Sequence, residues 1–550
     1  MIETTETGGE ALVASLADAG TKDMFVIPGI QLDWAVDALS ARPELSAYVP
    51  RHEQSVSYMA DGYARVTGQP GVGMVVPGPG MLNATAGLST AYACNSPVVM
   101  IVGQIHSAAI GKGYGNLHEI PDQSGVLRGL TKSQELVQRR DRVRGAIGDA
   151  LAMAMSGRKR PAAVEIPFDL LMAKSAVANG PLAVADAAKS PDQKLVERAA
   201  ELIDGAAFPV VCVGGGAMEA GAEITALAEK LQAPVITSDN GRGAIPDRHP
   251  LCFNVLAGRP LINKADVVLV IGSRFMNIMA PEPSWPQDGK TFIYLNVDEG
   301  DFSPPRKSAL NIVADAALGA AALAAAVKSK VSIDAETAQR VRTWARDQIE
   351  ATGMLWEYVS ALRSALPDNG ILVNELTQVG YLSRIAFECR GPRTLIGPGY
   401  QGTLGYGFPT ALGAAVGGAG RRVFSISGDG GFGWSVQELA TARKYRLPVT
   451  LVVFSDGHYG NVRAIQSATF GRNYLTDLCN PDFEDLARAY GLDFARAKDP
   501  AELRAVLSES ATSDEPMLVE APVGAAMASP WPMLGLRPLG GAKMDFGDLI

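Results

Sequence analysis

Short runs of apolar residues alternate with longer amphipathic stretches along most of the chain, and this alternation predicts strands that take turns with helices. Such an order is typical of parallel sheets flanked by helices. The strand signals fall into three groups, which predict an α/β chain of three domains at about 1–175, 190–330 and 355–535. The predicted strands are 24–27, 47–49, 73–76, 98–102 and 163–166 in the first domain, 210–213, 235–237, 267–271 and 292–297 in the second, and 371–374, 423–427, 450–454 and 517–520 in the third.

The composition narrows the class of protein. A chain of 550 residues is too long for one ordinary core, and its 59 glycines fit many tight turns between strands and helices. The net charge of −9 argues against a nucleic acid as partner. We expect no secretion signal and no membrane span, because no apolar run approaches the roughly 20 residues that a span needs. The five cysteines are scattered, which favours reduced thiols and a cytoplasmic protein.

Two aspartates follow two successive apolar runs of the third domain. Asp429 comes after the run 423–427, and Asp456 comes after the run 449–454. In a parallel sheet, a strand–helix–strand unit brings both carboxylates to the same edge. Two carboxylates beside a glycine turn suit a Mg²⁺ ion that holds a diphosphate. An isolated Gly-Asp-Gly is also an ordinary turn, and the second acid favours the metal site over that alternative.

The residues after Asp429 strengthen this prediction. Gly430 and Gly431 lack side chains, so their backbone N–H groups can approach a phosphate closely. Ser435 and Glu438 have the spacing of a capping box, which predicts that a helix begins there and ends near Arg446. The positive end of that helix would add to the phosphate site.

Three other segments combine turns with candidate functional groups. Glu53 stands at a strand-to-helix junction, where the alternative is an ordinary acid at a helix N-terminus. The glycine-rich turn 77–83 either binds a ligand or only turns tightly. The loop 399–407 is also rich in glycine, and Leu404 is its only aliphatic side chain; the alternative is a leucine of the core. None of these segments indicates a function when it is taken alone.

Together these residues resemble the thiamine-diphosphate enzymes of the acetolactate synthase and benzoylformate decarboxylase superfamily. The resemblance runs in order along nearly the whole chain and rests on Ile27-Pro28-Gly29, Arg51-His52-Glu53, Ala60-Asp61-Gly62-Tyr63-Ala64-Arg65, Gly78-Pro79-Gly80 with Asn83, the glycine loop before Pro409, and the motif around Asp429 and Asp456. It implies a pyrimidine-binding domain, a central Rossmann-like domain and a diphosphate-binding domain. It also implies a homodimer or homotetramer whose active sites lie between two subunits.

The resemblance implies thiamine diphosphate and Mg²⁺ as cofactors. Glu53 would hydrogen-bond the pyrimidine ring nitrogen and so promote removal of the thiazolium C2 proton. Leu404 would hold the cofactor in a bent shape that places its amine beside C2. Asp429, Asp456 and the backbone carbonyl of His458 would bind the metal, although the family often has asparagine at the position of Asp456. The other cofactor-binding residues that it implies are Pro28, Gly29, Asn83, Gly402, Thr403, Gly428, Gly430, Gly431, Tyr459 and Gly460.

The reaction is less specified than the cofactor. Benzoylformate decarboxylase carries a catalytic histidine where this chain has Val76, and the chain has no adjacent pair of histidines of the pyruvate decarboxylase type. Without such a proton donor, we expect carboligation of a 2-oxo acid with an aldehyde or a second oxo acid, as in acetolactate synthase. His118 and Gln123 lie in a stretch that lines the active site of synthase-like members and are candidate catalytic residues. A histidine of a surface loop is the alternative for His118.

Other functions stay open at this point. A simple 2-oxo acid decarboxylase and a lyase of 2-hydroxyacyl-CoA or oxalyl-CoA are the alternative enzymes. A degenerate member of the family and an unrelated phosphate-binding α/β protein are the alternatives without this chemistry. The presence of Glu53, Asp429 and Leu404 together argues against the first, and the second would not require Glu53. The central triplet Gly214-Gly215-Gly216 is comparable to a segment with which acetolactate synthases bind FAD. Because such glycines also serve helix–strand packing, FAD is not the favoured interpretation.

Overall fold

The structure is a computed structural model that describes residues 5–177, 180–276, 285, 287–524, 530–534 and 549–550. Within these ranges it contains three six-stranded sheets, and every strand pair in them is parallel. Helices flank each sheet, and each sheet lies in one of the three predicted segments. The α/β class with three parallel sheets is therefore confirmed. Among the described residues, no helix has both the length and the hydropathy of a bilayer-spanning segment.

The first sheet has the strand order β3-β2-β4-β5-β7-β6, and a separate antiparallel ribbon joins β1 to β8. Thr7 and Glu10 form a complete capping box at the start of its first helix. The elements of this part are β1 Thr5–Thr7, α1 Gly8–Asp18, β2 Asp23–Val26, α2 Asp33–Ser40, β3 Ser46–Tyr48, α3 Glu53–Thr67, β4 Gly71–Val75, α4 Pro79–Cys94, β5 Val98–Gln104, α5 Gln123–Arg128, β6 Ser133–Leu136, α6 Val143–Met155, β7 Ala162–Pro167, α7 Phe168–Met172 and β8 Lys174–Ala176.

The second sheet has the order β11-β10-β9-β12-β13-β14. Its elements are α8 Gln193–Gly205, β9 Pro209–Val213, α9 Gly221–Leu231, β10 Val235–Thr237, β11 Cys252–Phe253, α10 Val255–Lys264, β12 Val267–Ile271, β13 Thr291–Asn296, β14 Leu310–Val313 and α11 Ala316–Ala326. The helix α12, Ala335–Glu350, connects this part to the third sheet.

The third sheet has the order β16-β15-β17-β18-β20-β19, so that β17 and β18 are neighbours near its centre. Its elements are α13 Met354–Ala365, β15 Ile371–Asn374, α14 Gln378–Ala386, β16 Leu395–Ile396, α15 Gly407–Gly417, β17 Val423–Gly428, α16 Asp429–Phe432, α17 Leu439–Tyr445, β18 Val449–Ser455, α18 Gly460–Phe470, α19 Phe483–Tyr490, β19 Asp493–Arg496, α20 Pro500–Ser510, β20 Met517–Pro522 and α21 Trp531–Leu534.

The first and third sheets are joined by close packing of α3 on α15. A side chain at Gly62 of α3 would collide with the carbonyl of Thr410, and one at Gly413 of α15 would collide with the carbonyl of Met59. Glycine at both contacts lets the helix backbones touch. The apolar residues around this contact form one core that includes both sheets. The helices that follow the Glu53 junction and the Leu404 loop are therefore held against each other within one chain.

The strands that the apolar pattern did not predict lie almost entirely at sheet edges. They are β6 in the first sheet, β11 and β14 in the second, and β16 and β19 in the third, together with the ribbon strands β1 and β8. Edge strands face solvent along one side, and β6 and β19 contain no fully buried residue. They therefore lack the continuous apolar run that identifies a central parallel strand.

Candidate active site

Glu53 is the first residue of α3, directly after the N-cap residue His52 and beyond the carboxyl end of β3. Its Oε2 atom accepts a hydrogen bond of 3.0 Å from Nδ2 of Asn83, which lies in α4. A Cβ atom at Gly80 would lie only 3.6 Å from Oε1 of Glu53. The structure thus brings Glu53 and Asn83 together, where the first turns of α3 and α4 meet.

Val76 fills the space between two glycine turns at this edge. A side chain at Gly29, which follows Pro28, would collide with one methyl group of Val76, and a side chain at Gly80 would collide with the other. Val76 is itself buried. An apolar side chain therefore packs the two glycine turns together at position 76.

His118 is held against the turn that precedes α4. A side chain at Gly78 would collide with the carbonyl of His118, and Gly78 has a positive φ of 58°. His118 itself has a φ of 70°, in the left-handed region that non-glycine residues seldom adopt. Its Nδ1 atom is buried without a hydrogen-bond partner within the chain. His118 is thus half-buried in its loop, and its backbone is held against the Gly78 turn.

Gln123 is fully engaged in a buried network. Its Oε1 atom accepts a hydrogen bond of 2.8 Å from the N–H of Gly78, and its Nε2 atom donates to the carbonyl of Gly103 and to Glu165. Glu165 is completely buried and also accepts from Gln104, Ser124 and Gln134. The amide oxygen of Gln123 therefore holds the Gly78 turn while its nitrogen is bonded to Gly103 and Glu165, which favours positioning over direct contact with a substrate.

Asp429 and Asp456 lie at the ends of the neighbouring strands β17 and β18. The Oδ2 atom of Asp429 accepts hydrogen bonds from the N–H groups of Asp456 and Gly457, at 3.2 and 2.7 Å, and from Nδ2 of Asn480, at 2.7 Å. Its Oδ1 atom accepts from the N–H of Gly430. The two acids are thus adjacent at one edge of the sheet, as the strand–helix–strand pattern predicts.

The surroundings of Asp456 are suited to a cation. Burial raises the pKa of this carboxyl, the N–H of His458 opposes that rise, and repulsion from Asp429 adds to it. The Oδ1 atom of Asp456 accepts from the N–H of His458 at 2.9 Å, whose ring Nδ1 turns back to the carbonyl of Asp456. A buried carboxylate, Asp429, that repels a half-buried one, Asp456, is an arrangement that a divalent ion would stabilise.

The glycines of the third sheet let other groups come close to the two acids. A Cβ atom at Gly430, two residues beyond Gly428, would lie 2.8 Å from the ring of Tyr459, and one at Gly460 would lie 2.5 Å from Oδ2 of Asp456. A side chain at Gly431 would collide with the carboxyl of Glu375. A larger residue at any of these three positions would have to displace Tyr459, Asp456 or Glu375.

The predicted capping box at Ser435 and Glu438 is wrong. Residues Val436–Glu438 form a single 3₁₀ turn without a side-chain cap, and the α-helix begins only at Leu439. The carboxyl of Glu438 is buried and instead accepts from the N–H of Arg51, at 3.1 and 3.2 Å, and from Oγ1 of Thr441. The acid that the pattern assigned to a local cap is used for a contact between the third and first sheets, which a local pattern cannot show.

Leu404 is exposed on its loop, with 44% of its surface accessible. The alternative of a core leucine is therefore wrong. Gly402 and Gly405 on either side have positive φ values of 58° and 76°, and Oγ1 of Thr403 lies 3.0 Å from Oγ1 of Thr90 in α4. The loop thus presents an aliphatic side chain between two turns that only glycine adopts readily.

A cavity of 480 Å³ lies beside the metal-binding candidates. Its size is within the range of small-molecule sites, and its lining combines apolar side chains with the polar groups of Asp429 and Asn480. Asn480 was not singled out from the sequence, because it lies 51 residues after Asp429 and has no motif of its own. Glu375, which follows β15, was missed for the same reason.

The glycine triplet of the central sheet is packed against neighbouring loops. A side chain at Gly214 would collide with the carbonyl of Gly272, and Cβ atoms at Gly215 and Gly216 would lie 3.1 Å from Asn240 and from Gly272. Close packing accounts for the three glycines without a nucleotide.

Models of protein families match three parts of the chain. The N-terminal TPP binding domain of thiamine pyrophosphate (thiamine diphosphate) enzymes matches residues 6–126, the central domain of these enzymes matches residues 196–324, and their C-terminal TPP binding domain matches residues 378–521. The two acids of the third sheet lie within the last of these matches, and Glu53 lies within the first.

Curated relatives extend the similarity over nearly the whole chain. The probable 2-ketoarginine decarboxylase AruI of Pseudomonas aeruginosa is 33% identical over 518 residues, which are 91% of each protein. The probable acetolactate synthase large subunit of Methanocaldococcus jannaschii is 30% identical over 94% of this chain and 92% of its own length. The acetolactate synthase isozyme 1 large subunit of Escherichia coli is 28% identical over 94% of both proteins. With a site built from these strand ends and matches of this extent, the chain belongs to the thiamine pyrophosphate enzyme family.

Proposed function

We propose that the protein is a Mg²⁺- and thiamine-diphosphate-dependent enzyme that makes or breaks a carbon–carbon bond of a 2-oxo acid, with carboligation of the acetolactate synthase type as its leading reaction. The observation that carries this proposal is the pair of carboxylates at the ends of β17 and β18. The division into a pyrimidine-binding domain (1–175), a central domain (190–330) and a diphosphate-binding domain (355–535) is part of the same proposal.

Asp429, Asp456 and the backbone carbonyl of His458 would hold the Mg²⁺ ion. Carboxylate and carbonyl oxygens are the ligands that this ion prefers. Asn480 fixes one oxygen of Asp429 and would act as an outer partner of the metal. Two full negative charges, in place of one acid and one amide, would compensate the metal more completely than in relatives that have asparagine at position 456.

The cofactor would lie between the two sheet edges. When bound, thiamine diphosphate supplies the carbon nucleophile and the electron sink for decarboxylation. Glu53 would exchange a proton with the pyrimidine nitrogen, and Leu404 would support the bend between the two rings. The remaining contacts would come from Pro28, Gly29, Asn83, Gly402, Thr403, Gly428, Gly430, Gly431, Tyr459 and Gly460.

We propose that each active site combines Glu53 of one subunit with Asp429 of another, in a homodimer or homotetramer. Large apolar side chains are exposed around both sheet edges, and a second copy of the chain would cover them. Those in the part of the chain that forms the first sheet are Ile30, Leu82, Tyr114 and Leu117, and those in the part that forms the third sheet are Leu404, Trp434, Val462, Phe470, Tyr474 and Leu475. Five unpaired cysteines support a cytoplasmic location.

Mixing two inactive variants tests this shared site. In a dimer of Glu53→Gln with Asp429→Asn protomers, one site carries both substitutions and the other carries neither. Random exchange of subunits should therefore restore roughly a quarter of the wild-type activity. Mixtures that stay inactive, although mass spectrometry shows mixed dimers, would contradict a site between subunits.

Simple decarboxylation is the second candidate reaction, and a specific observation favours it. The buried Nδ1 atom of His118 has no partner in the chain, so this ring is available to donate or accept a proton near the Gly78 turn. The similarity to a probable 2-ketoarginine decarboxylase agrees with this candidate. Lysis of an acyl-CoA remains an alternative without a comparable observation.

A screen of 2-oxo acids distinguishes these reactions. The enzyme is reconstituted with Mg²⁺ and thiamine diphosphate and is given oxo acids with small, branched, aromatic or guanidino side chains, each with and without an aldehyde acceptor. Carboligation predicts hydroxyketone products that depend on the acceptor, whereas decarboxylation predicts free aldehyde without one. Absence of turnover with every oxo acid, despite bound cofactor in calorimetry, would overturn the proposed function.

A further inference from the structure

Glu375 is a buried acid that the proposed chemistry leaves without a task. It follows β15, is only 3% exposed and accepts three hydrogen bonds. The N–H of Gly405 donates to its Oε1 atom at 3.0 Å, the N–H of Gly407 donates to its Oε2 atom at 2.9 Å, and Oγ of Ser427 donates to Oε2 at 2.9 Å. Such complete satisfaction of a buried carboxyl indicates a fixed geometry.

Two of these bonds hold the loop that carries Leu404. Gly405 comes directly after Leu404, and its positive φ turns the chain back toward α15. A Cβ atom at Gly405 would lie 2.5 Å from the Cβ of Trp434. The loop is therefore fixed by the carboxyl on one side and by the chain near Trp434 on the other, while Leu404 stays exposed between them.

The same carboxyl also holds the turn that carries Asp429. Ser427 lies two residues before this acid at the end of β17, and Gly431 in α16 packs so closely on Oε1 of Glu375 that any side chain there would collide with it. A single buried carboxyl thus bonds to the backbone of the Leu404 loop and to the Ser427 hydroxyl of the segment that leads to Asp429.

We propose that Glu375 is a positioning residue that sets the height of Leu404 above the Asp429 turn and thereby the reactivity of the bound cofactor. This inference rests on the proposed function, because it gives Leu404 its role in bending thiamine diphosphate. A glutamine at 375 keeps one acceptor and turns an NH₂ group toward N–H donors, so one of the two glycine contacts must break. A displacement of about 1 Å in such a loop can cost about 100-fold in rate.

The test measures cofactor reactivity separately from turnover. Exchange of the cofactor C2 proton for deuterium is followed by NMR in the holoenzyme, and affinity for thiamine diphosphate with Mg²⁺ is measured by calorimetry. Glu375→Gln should slow exchange by roughly 10- to 100-fold, whereas affinity should change by less than about 10-fold. An unchanged exchange rate in this variant would overturn the proposal.

A double-mutant cycle decides whether Glu375 acts through Leu404. Leu404→Ala alters an exposed side chain and should slow exchange by itself. If the acid acts through this leucine, Glu375→Gln should then have little further effect in the Leu404→Ala background. Independent, multiplying effects would contradict the proposal.

Ser427→Ala removes only one donor to the carboxyl, so it should show a smaller effect, roughly threefold, with the same dependence on Leu404. It replaces Glu375→Gln in the cycle if that variant does not fold.

A matched control excludes general destabilisation. Asp266 accepts hydrogen bonds from the N–H groups of Ala207 and Phe208 in the central part of the chain. Asp266→Asn removes a comparable charged acceptor far along the chain from the site and should leave the exchange rate of bound cofactor unchanged. Failure of the wild-type enzyme to bind thiamine diphosphate would overturn the proposed function itself, a result distinct from an unaltered Glu375→Gln holoenzyme.

Discussion

The first and third sheets each have an acid beyond the carboxyl ends of their strands, but the two acids differ in burial and in the number of hydrogen bonds that they accept. Glu53 is half-buried at the start of a helix, and its carboxyl accepts one hydrogen bond, from the side-chain amide of Asn83. Asp429 accepts from three backbone N–H groups and from Asn480. An acid held by so many donors is fixed in position, whereas an acid with a single donor keeps one carboxyl oxygen available to a bound group. The comparison predicts proton transfer at one edge and binding at the other.

Glu53→Gln should have the largest effect and separate these two tasks. The amide keeps the size of the side chain but cannot exchange a proton, so turnover and C2 exchange should fall by about 10³-fold. Affinity for thiamine diphosphate should stay within a few-fold of the wild type, as measured by calorimetry.

The control for this variant is Glu10→Gln. Glu10 is also a glutamate in the first turn of a helix, but its carboxyl closes a capping box with Thr7, a role that glutamine can fill. Its activity should equal that of the wild type. Equal losses of binding and turnover in Glu53→Gln would remove the contrast between the edges.

Asp429→Asn should show the reverse pattern. This variant should weaken Mg²⁺-dependent cofactor binding by about 100-fold, because both oxygens of Asp429 accept hydrogen bonds and an amide NH₂ group would face one set of these donors, which displaces the side chain from the metal. Asp456→Asn is the matched control: an amide oxygen can still bind the ion, and we expect less than a 10-fold loss in calorimetry. Similar losses in the two variants would show that total charge, and not the ligand at Asp429, governs binding.

The central strands and the acids Glu53, Asp429 and Asp456 could be predicted from the sequence because their signals are local. The run before Asp429 is largely apolar, and β17, Val423–Gly428, matches the predicted strand 423–427 within one residue. The acids could be placed at one edge because parallel strands fix where successive strands end. Edge strands such as β19 could not be predicted, since their half-exposed residues give no apolar run.

The partners of the buried acids could not be predicted for a different reason. Glu438 bonds to Arg51, which lies 387 residues away in sequence, and Asn480 bonds to Asp429 from another loop. The first contact depends on how the first and third sheets pack together, and the second depends on where the loop before α19 lies, and no local period encodes either arrangement. Glu438 therefore matched a capping pattern that the structure does not use.

The pH dependence of stability should report on the buried carboxyl of Glu375. Burial raises the pKa of Glu375 from 4.5 to about 7, although the N–H groups of Gly407 and Gly405 and the hydroxyl of Ser427 oppose the rise. Between these pH values the folded chain holds a proton that the unfolded chain releases, so stability falls as the pH increases.

The expected loss is on the order of 3 kcal/mol across this window. Urea unfolding at several pH values should show it in the wild type, and Glu375→Gln should have a flatter profile because it cannot ionise. Parallel profiles for the two proteins would mean that Glu375 titrates alike in the folded and unfolded chain.

Glu438→Gln should have the smallest effect, because this residue connects the two edges without belonging to either. Both carboxyl oxygens lie within 3.2 Å of the N–H of Arg51, two residues before Glu53. Glutamine keeps one acceptor for that N–H but loses the strength of a charged one. C2 exchange should fall about fivefold, at unchanged cofactor affinity, because the junction that aims Glu53 is loosened while the Asp429 turn is not. The exposed Glu484→Gln in α19 should change neither quantity. Cofactor affinity could instead fall as much as C2 exchange in Glu438→Gln. The contact of Glu438 with Arg51 would then support the binding site at Asp429 as well as the Glu53 junction, and proton transfer and cofactor binding would not be separable at Glu438.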